Sequence, residues 1–184
     1  KAVGISGHAI AENLGYRDGE DMSFDELLFV VGRVIKSVSI PVSVDIDGGY
    51  GRSIGKVNEH VGQLVKMGAS GINIEDSVVK DKKRSLAEAG KFAKIIEGIR
   101  TFLTEQKSKL FVNVRVDAYV TKQPNPLEET LKRAKLFEEA GADGIFVPLL
   151  SDDKEITKVV QSTKLPFNAY LEPGTPSFSR LKQI

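Results

Sequence analysis

Three carboxylates lie at the ends of two short apolar segments of this chain. Residues 42–47 alternate apolar and polar side chains, which places Asp45 and Asp47 on one face of a predicted strand, and Glu75 ends the next such segment. Carboxylates gathered on one face repel one another unless a positive charge lies between them. An all-oxygen cluster without His or Cys suits a hard cation. We therefore predict a Mg²⁺ site at Asp45, Asp47 and Glu75, with buried ion pairs as the alternative.

A third segment of the same kind carries an arginine. Residues 112–117 alternate valine with Asn113, Arg115 and Asp117, so these three polar side chains share a face. A planar guanidinium is a two-point clamp for a carboxylate or a phosphate. Arg115 is therefore the predicted anchor of an anionic substrate, and an internal ion pair is again the alternative.

Composition narrows the classes of function. The 184 residues include 26 Lys+Arg and 25 Asp+Glu, and a formal net charge of +1 gives no electrostatic case for nucleic acid or an anionic membrane. No apolar run approaches the roughly 18 residues of a membrane span. The absence of cysteine excludes a disulfide framework, a Cys-based zinc site and a thiol nucleophile. We expect a cytoplasmic enzyme or binding domain that acts on a small molecule.

Two alternating patterns must position these residues. Short β-branched-rich runs predict buried strands at 2–6, 41–47, 71–75, 110–117, 144–150 and 166–171. Amphipathic runs between them predict helices at 24–37, 54–67, 126–140 and 153–162, a further helix ending near 106 and a start at Ser177. Ser23 with Glu26, and Ser85 with Glu88, match the capping box that opens a helix.

Strand–helix alternation without hairpin turns predicts a parallel α/β sheet covered by helices. Six strands fit either an open doubly wound sheet or part of a TIM (βα)₈ barrel. The polar face that develops toward the strand ends favours the barrel, because an open sheet covered on both sides is apolar on both faces. We predict one catalytic domain over residues 1–184, with about six βα units, lacking the first and last strands of the barrel.

Several motifs resemble those of the isocitrate lyase/phosphoenolpyruvate mutase superfamily, over almost the whole chain. Asp-x-Asp-x-Gly-Tyr-Gly followed by Ile-Glu-Asp is the most specific part of the resemblance. The motifs are Ser6-Gly7, LGYRDGE (14–20), VDIDGGYG (44–51), GINIEDS (71–77), VRVDAY (114–119) and AGADGIFVP (140–148).

The resemblance implies a (βα)₈ barrel that forms a homo-oligomer, a dimer or more usually a tetramer. It implies Mg²⁺ held largely through water near the three carboxylates. Ser6 and Gly7 are then expected to bind the oxo-acid end of a substrate whose carboxylate Arg115 clamps. Asp18 matches an aspartate close to the reacting group. The shared chemistry of the family is the formation or use of a metal-stabilised enolate of a pyruvate-like acid.

The chain departs from this family in the loop after the Glu-Asp strand. Lyase members carry Lys-x-Cys-Gly-His there, whereas residues 77–85 contain neither Cys nor His. Lys80 and Lys82 are the alternative candidates for proton transfer, although neither has the spacing of the mutase lysine; a solvated basic loop is the other interpretation. Pro148 stands where some members carry a functional His or Glu. Asn168 is a candidate for substrate binding, with a structural amide as its alternative.

Neither of the two histidines is assigned to the site. His8 follows Ser6-Gly7 in a predicted loop, and a lone loop histidine is usually incidental. His60 lies in the middle of a predicted helix and is expected at the surface.

The leading hypothesis is a Mg²⁺-dependent lyase or mutase that cleaves a C–C or P–C bond in a small 2-oxo acid or phosphonate. A phosphonopyruvate mutase or hydrolase proper is the second hypothesis. A non-catalytic oxo-acid-binding paralogue is the third, because the usual proton-transfer residues are absent.

Overall fold

The computed structural model describes residues 1–184, which form eight strands and seven helices. The strands are β1 (Val3–Ile5), β2 (Val42–Asp45), β3 (Gly71–Glu75), β4 (Ser77–Lys80), β5 (Lys83–Leu86), β6 (Phe111–Arg115), β7 (Gly144–Phe146) and β8 (Phe167–Asn168). The helices are α1 (Gly7–Asn13), α2 (Phe24–Ser37), α3 (Ile54–Met67), α4 (Ala89–Glu105), α5 (Pro126–Glu139), α6 (Asp153–Ser162) and α7 (Phe178–Leu181).

Six strands form one parallel sheet in the order β1-β2-β3-β6-β7-β8. Because successive strands are neighbours and each crossover carries a helix, the sheet curls into a half-barrel, which confirms the predicted incomplete (βα)₈ barrel. Apolar side chains such as Val44, Ile72 and Val114 are fully buried in the core. No helix combines the length and the apolar character that crossing a membrane requires.

The register of the sheet brings the polar residues of neighbouring strands side by side. Asp45 of β2 pairs with Asn73 of β3, and Glu75 at the end of β3 pairs with Arg115 at the end of β6. Parallel strands all end at the same edge, so these side chains collect at the carboxyl end of the half-barrel.

The capping box predicted at Ser23 and Glu26 is present: the Ser23 side chain accepts a hydrogen bond from the Glu26 backbone, and Glu26 reaches back to Ser23. The box predicted at Ser85 and Glu88 is wrong. Helix α4 begins at Ala89, and its N-cap is Glu88 itself. Ser85 is not available for this role because it belongs to β5.

The expectation of no hairpin turns is wrong at β4 and β5, which pair antiparallel as a small separate sheet. Their two-residue turn places Asp81 at φ 50° and Lys82 at φ 64°. Both signs are those of a type I′ turn, which joins twisted strands closely. The basic segment is thus an ordered hairpin. Helix α1, capped by Ser6, is a second element that the sequence patterns did not indicate.

Candidate active site

A cavity of about 620 Å³ opens at the carboxyl end of the half-barrel. Six of the ten predicted site residues line it: Ser6, Asp18, Asp45, Asp47, Arg115 and Asn168. It also has amide groups from Asn73 and Asn113 and an apolar wall that includes Phe146 and Tyr170. The cavity therefore combines acidic groups, one guanidinium and neutral hydrogen-bonding groups.

Asp45 and Asp47 are two carboxylates without a cationic partner. Asp45 Oδ1 accepts a hydrogen bond from Asn73 Nδ2 at 3.1 Å, and Asp47 Oδ2 accepts one from the Glu20 backbone N–H at 3.2 Å. Loss of hydration raises the pKa of Asp45. The same effect, reinforced by the charges of Asp45 and Asp18, raises the pKa of Asp47 to about 6. A positive charge between the two groups would favour their ionised forms.

Gly7 brings the main chain against Asp45. Its N–H donates to Asp45 Oδ2 at 3.3 Å, and a Cβ built on Gly7 would lie 3.2 Å from the Asp45 carbonyl oxygen. A side chain there would force the two segments apart, which accounts for glycine at this position. Ser6 caps α1, its Oγ accepting from the Ala9 N–H at 3.2 Å. The Ser6-Gly7 pair thus borders the two aspartates, and its binding of a substrate stays a prediction.

Glu75 is engaged by two arginines. Its Oε1 contacts Arg84 Nη1, and its Oε2 lies 3.1 Å from Arg115 Nη1. Loss of hydration outweighs the attraction of both guanidinium groups and raises the pKa of Glu75 to about 7. Glu75 therefore belongs to an ionic cluster that meets the cavity through Arg115.

Arg84 was not singled out from the sequence, yet it is the central cation of that cluster. It faces inward from β5, and its guanidinium contacts Ser77 Oγ at 2.6 Å, Asp117 Oδ2 at 3.3 Å and Asp18 Oδ2 at 2.5 Å. Burial lowers the pKa of Arg84, but the surrounding carboxylates, Glu75 first, raise it on balance. The signal available in the sequence was the alternation of residues 83–86 after a two-residue turn, which aims Arg84 and Leu86 to the same side.

Arg115 faces the cavity while held from behind. Its Nε donates to Asp117 Oδ1 at 2.6 Å and its Nη2 to Asp117 Oδ2 at 3.2 Å. This fork fixes the guanidinium plane. Arg115 is thus both paired with Asp117 and accessible from the cavity. The clamping of a substrate by Arg115 stays a prediction.

The two lysines predicted for proton transfer are exposed at the tip of the β4–β5 hairpin: Lys80 ends β4, and Lys82 lies in the turn. Lys80 borders neither major cavity, whereas Lys82 borders a second cavity of about 800 Å³ between the hairpin and residues 17–21. Neither forms a salt bridge, in contrast to the neighbouring Arg84. Asn168, on the short β8, is exposed at the cavity rim.

Residues 1–184 match the family model described as phosphoenolpyruvate phosphomutase over their whole length. The chain belongs to this family. It thereby belongs to the isocitrate lyase/phosphoenolpyruvate mutase superfamily, as the motifs indicated.

Curated relatives include both mutases and lyases. Phosphoenolpyruvate phosphomutase of Streptomyces hygroscopicus is 34% identical over 152 residues, 80% of this chain and 48% of that protein. The 2-methylisocitrate lyase of Aeropyrum pernix is 31% identical over 175 residues, 92% of this chain and 54% of that protein. An uncharacterised protein of Mycobacterium tuberculosis is 30% identical over 94% of this chain, which spans 62% of that protein. The chain therefore spans between about half and 62% of these relatives.

Solved structures show the same fold. A candidate phosphonomutase from Burkholderia cenocepacia superposes with a TM-score of 0.91 at 29% identity, covering 99% of this chain and 74% of that chain. 2,3-Dimethylmalate lyase superposes with a TM-score of 0.85 at 24% identity, covering 99% of this chain and 65% of that chain.

In this member of the phosphoenolpyruvate phosphomutase family, a buried network of hydrogen bonds and an ion pair connects α5 to the residues of the site. Arg133 on α5 donates to Asp76 Oδ2 at 3.0 Å and to the Ala87 carbonyl at 3.0 Å, next to the hairpin. The other oxygen of Asp76 accepts the backbone N–H of Asp117 at 2.8 Å. Arg133 therefore ties α5 to the hairpin base and to the carboxylate that orients Arg115.

Replacing Arg133 with methionine is expected to lower the free energy of unfolding by about 3–5 kcal/mol, because the fully buried Asp76 loses its cationic partner. Arg17→Met is the matched control: Arg17 pairs with Asp21 at an exposed position, so its loss should leave the free energy of unfolding nearly unchanged. Urea unfolding of both variants measures the difference. Equal costs for the two variants would contradict a supporting role for Arg133.

The GlyGlyTyrGly loop after Asp47 is fixed by a histidine expected at the surface. That expectation for His60 is wrong: only 4% of the residue is exposed. Its Nδ1 lies 3.0 Å from the Gly49 carbonyl, and its ring stacks on Phe24 at 3.9 Å between centroids. α3 packs against the loop, so the middle of the helix is covered.

Of the three carboxylates predicted to bind Mg²⁺, the structure favours Asp45 and Asp47 over Glu75. No group of three His, Cys, Asp or Glu side chains is arranged to hold a metal ion. Glu75 is held by arginines, whereas the Asp45–Asp47 pair has no salt-bridge partner and presents hard oxygen donors to the cavity. This pair fits Mg²⁺, which keeps most of its water and needs few protein ligands.

Proposed function

We propose that the protein is a Mg²⁺-dependent enzyme that cleaves a C–C or P–C bond in a small 2-oxo acid or phosphonate through a pyruvate-like enolate. One observation carries this proposal: Asp45 and Asp47, two carboxylates that form no salt bridge, share a cavity with a guanidinium, Arg115. A cavity with that charge pattern suits a cation and an anionic ligand together. Family membership supports the class of reaction.

Mg²⁺ held by Asp45 and Asp47 would act as a Lewis acid toward the oxo-acid oxygens. Glu75 is a predicted metal ligand and would act through water, since its oxygens face Arg84 and Arg115. The charge of the bound cation would offset the repulsion that raises the pKa of Asp47.

The remaining cavity residues orient the substrate. Arg115 presents its guanidinium for the substrate carboxylate, because Asp117 already holds the plane of that group. Ser6 and Gly7, at the start of α1, would bind the oxo-acid end, and Asn168 offers an amide at the cavity rim. Asp18 lies beside the reacting group as a predicted catalytic residue, and Lys80 and Lys82 stay candidates only if the hairpin moves.

The second candidate is phosphonopyruvate chemistry proper, as a mutase or hydrolase. It is favoured by the match to the phosphoenolpyruvate phosphomutase model along the whole chain. A coupled assay for pyruvate and phosphate with phosphonopyruvate and with 2-oxo acids separates the two candidates. Tight binding of Mg²⁺ and oxalate without turnover of either class would instead indicate the non-catalytic oxo-acid-binding protein.

Arg115→Lys is expected to weaken oxalate binding at least about tenfold and to lower kcat/KM about a hundredfold, since lysine keeps the charge but loses the two-point fork. Calorimetric titration with oxalate in the presence of Mg²⁺ measures the first quantity. Arg180→Lys is the control, because Arg180 forks onto Asp153 at 2.7 Å outside the cavity. Unchanged oxalate affinity in Arg115→Lys would contradict the clamp.

The proposal also covers the binding partner, the assembly state and the cellular location of the protein. The partner is a small molecule rather than nucleic acid or a membrane. A homo-oligomer, dimer or tetramer, and a cytoplasmic location stay predictions; sedimentation analysis tests the first.

A further inference from the structure

A histidine and an aspartate form a pair at the rim of the cavity. His8 Nδ1 lies 3.3 Å from Asp18 Oδ1, and both residues line the same 620 Å³ cavity as Asp45, Asp47 and Arg115. The two come from separate segments, α1 and the loop before α2, so only the fold brings them together. The sequence alone suggested an incidental histidine at this position.

Asp18 is held in place from its other side. Its Oδ2 accepts a hydrogen bond from Arg84 Nη2 at 2.5 Å, so the carboxylate is fixed between the β4–β5 hairpin and His8. An aspartate that accepts from one imidazole nitrogen sets the tautomer and orients the ring, which leaves the other nitrogen for chemistry. Because Asp18 lies at Nδ1 of His8, the ring nitrogen left for chemistry is Nε2.

The only other partner of the ring is weak. His8 Nε2 lies 3.5 Å from Glu12 Oε1, and these side chains are 52% and 66% exposed. A solvent-exposed contact of this kind contributes little free energy, so it does not prevent Nε2 from turning to a bound ligand.

We propose that His8, oriented by Asp18, is the proton carrier of the site and takes the place of the missing thiol. This inference rests on the proposed function in its C–C-cleaving form. It assigns a role that the exposed Lys80 and Lys82 do not have the position to perform. Arg84 cannot supply it, because a guanidinium does not give up its proton in a protein.

One residue, His8, can both take up and return the proton that C–C cleavage requires. In a 2-oxo acid that carries a hydroxyl on C4, neutral Nε2 accepts the proton of that hydroxyl as its oxygen becomes a carbonyl and the C3–C4 bond breaks. The electron pair of the broken bond stays on C3, next to the oxo group, as an enolate. Imidazolium Nε2–H then gives the same proton to that carbon, which forms the new C–H bond and restores neutral His8.

His8→Gln is expected to lower kcat about a hundredfold or more with KM changed less than about threefold, the size typical of losing a general acid–base group. Added imidazole is expected to restore part of that activity. Rescue by a free base separates a proton carrier from a residue that only supports Asp18. Glu12→Gln is the matched control, because Glu12 is the weak, exposed partner of His8 Nε2. The kcat of this variant is expected to equal that of the wild type.

A binding experiment tests the contact without turnover. The chain has only two histidines, so ring NMR signals are readily assigned, and buried His60 is an internal reference. Oxalate with Mg²⁺ is expected to shift the His8 signal and leave that of His60 in place. An unshifted His8 signal when oxalate binds would overturn the inference.

The outcomes separate the two proposals. Wild-type turnover that survives in His8→Gln, or that is lost there without rescue by imidazole, rejects His8 as proton carrier and leaves the proposed function standing. Absence of turnover in the wild type with every oxo acid and phosphonate rejects the proposed function, and His8 falls with it.

Discussion

Asp47→Asn is expected to abolish Mg²⁺ binding and, in the metal-free protein at neutral pH, to raise the free energy of unfolding. Asp47 is 5% exposed and its pKa is raised to about 6, chiefly by loss of hydration. Its ionised form therefore opposes folding by up to about 3 kcal/mol. Asparagine keeps the shape and an oxygen for the Glu20 N–H without that charge.

The pH dependence has a defined sign. The folded protein holds the Asp47 proton more tightly than the unfolded chain does, so wild-type stability falls as pH rises from about 4 to about 6. The difference in free energy of unfolding between Asp47→Asn and wild type should grow across that range and stay constant above it. Urea unfolding at several pH values without metal measures it, and calorimetry measures Mg²⁺ binding.

Asp25→Asn is the matched control, since Asp25 is an exposed aspartate in the first turn of α2. It is expected to change stability by less than about 1 kcal/mol. Full Mg²⁺ affinity in Asp47→Asn would reject the metal site, even if the variant were more stable.

Arg84→Met is expected to lower the free energy of unfolding by about 3–5 kcal/mol, because Glu75 and the fully buried Asp117 lose a shared cation. For a chain of this size, that corresponds to a fall in Tm of about 10 °C. Activity should fall as well, because Asp18 and the hairpin are no longer tied to the site.

Two lysines of the same hairpin provide controls for Arg84. Lys80→Met and Lys82→Met are expected to stay within about 0.5 kcal/mol of wild type, since both side chains are exposed and form no salt bridge. Scanning calorimetry measures all three variants, and turnover measured at a temperature where each is folded separates activity from stability. A loss of activity confined to the lysine variants would return the proton-transfer role to them.

The main architecture was readable from local patterns. Runs such as 71–75 are β-branched and short, and each is followed by an amphipathic helix, which is enough to predict parallel βα units. The polar face around Asp45 favoured the barrel over the open sheet. The β4–β5 hairpin was missed because its outward residues are charged and its turn, Asp81-Lys82, lacks the glycine that usually marks a type I′ turn.

The site was predictable only in part. Alternation within strands placed Asp45, Asp47 and Arg115 at one end of the sheet, and the structure finds them in one cavity. Alternation says nothing about which charges pair. Glu75 was grouped with the two aspartates, and its pairing with Arg84 depends on the hairpin folding back over the sheet.

The sequence by itself determined the family, the half-barrel and the carboxylates at its rim, because periodicity and motif spacing are local properties of the chain. Only the tertiary structure decided that Arg84 neutralises the cluster, that His60 is buried against Phe24, and that His8 meets Asp18. The paired side chains are from 9 to 66 positions apart in the sequence. The sequence shows that no cysteine is available for proton transfer. Only the structure shows that His8 and Asp18, the pair proposed for that role, lie together at the cavity.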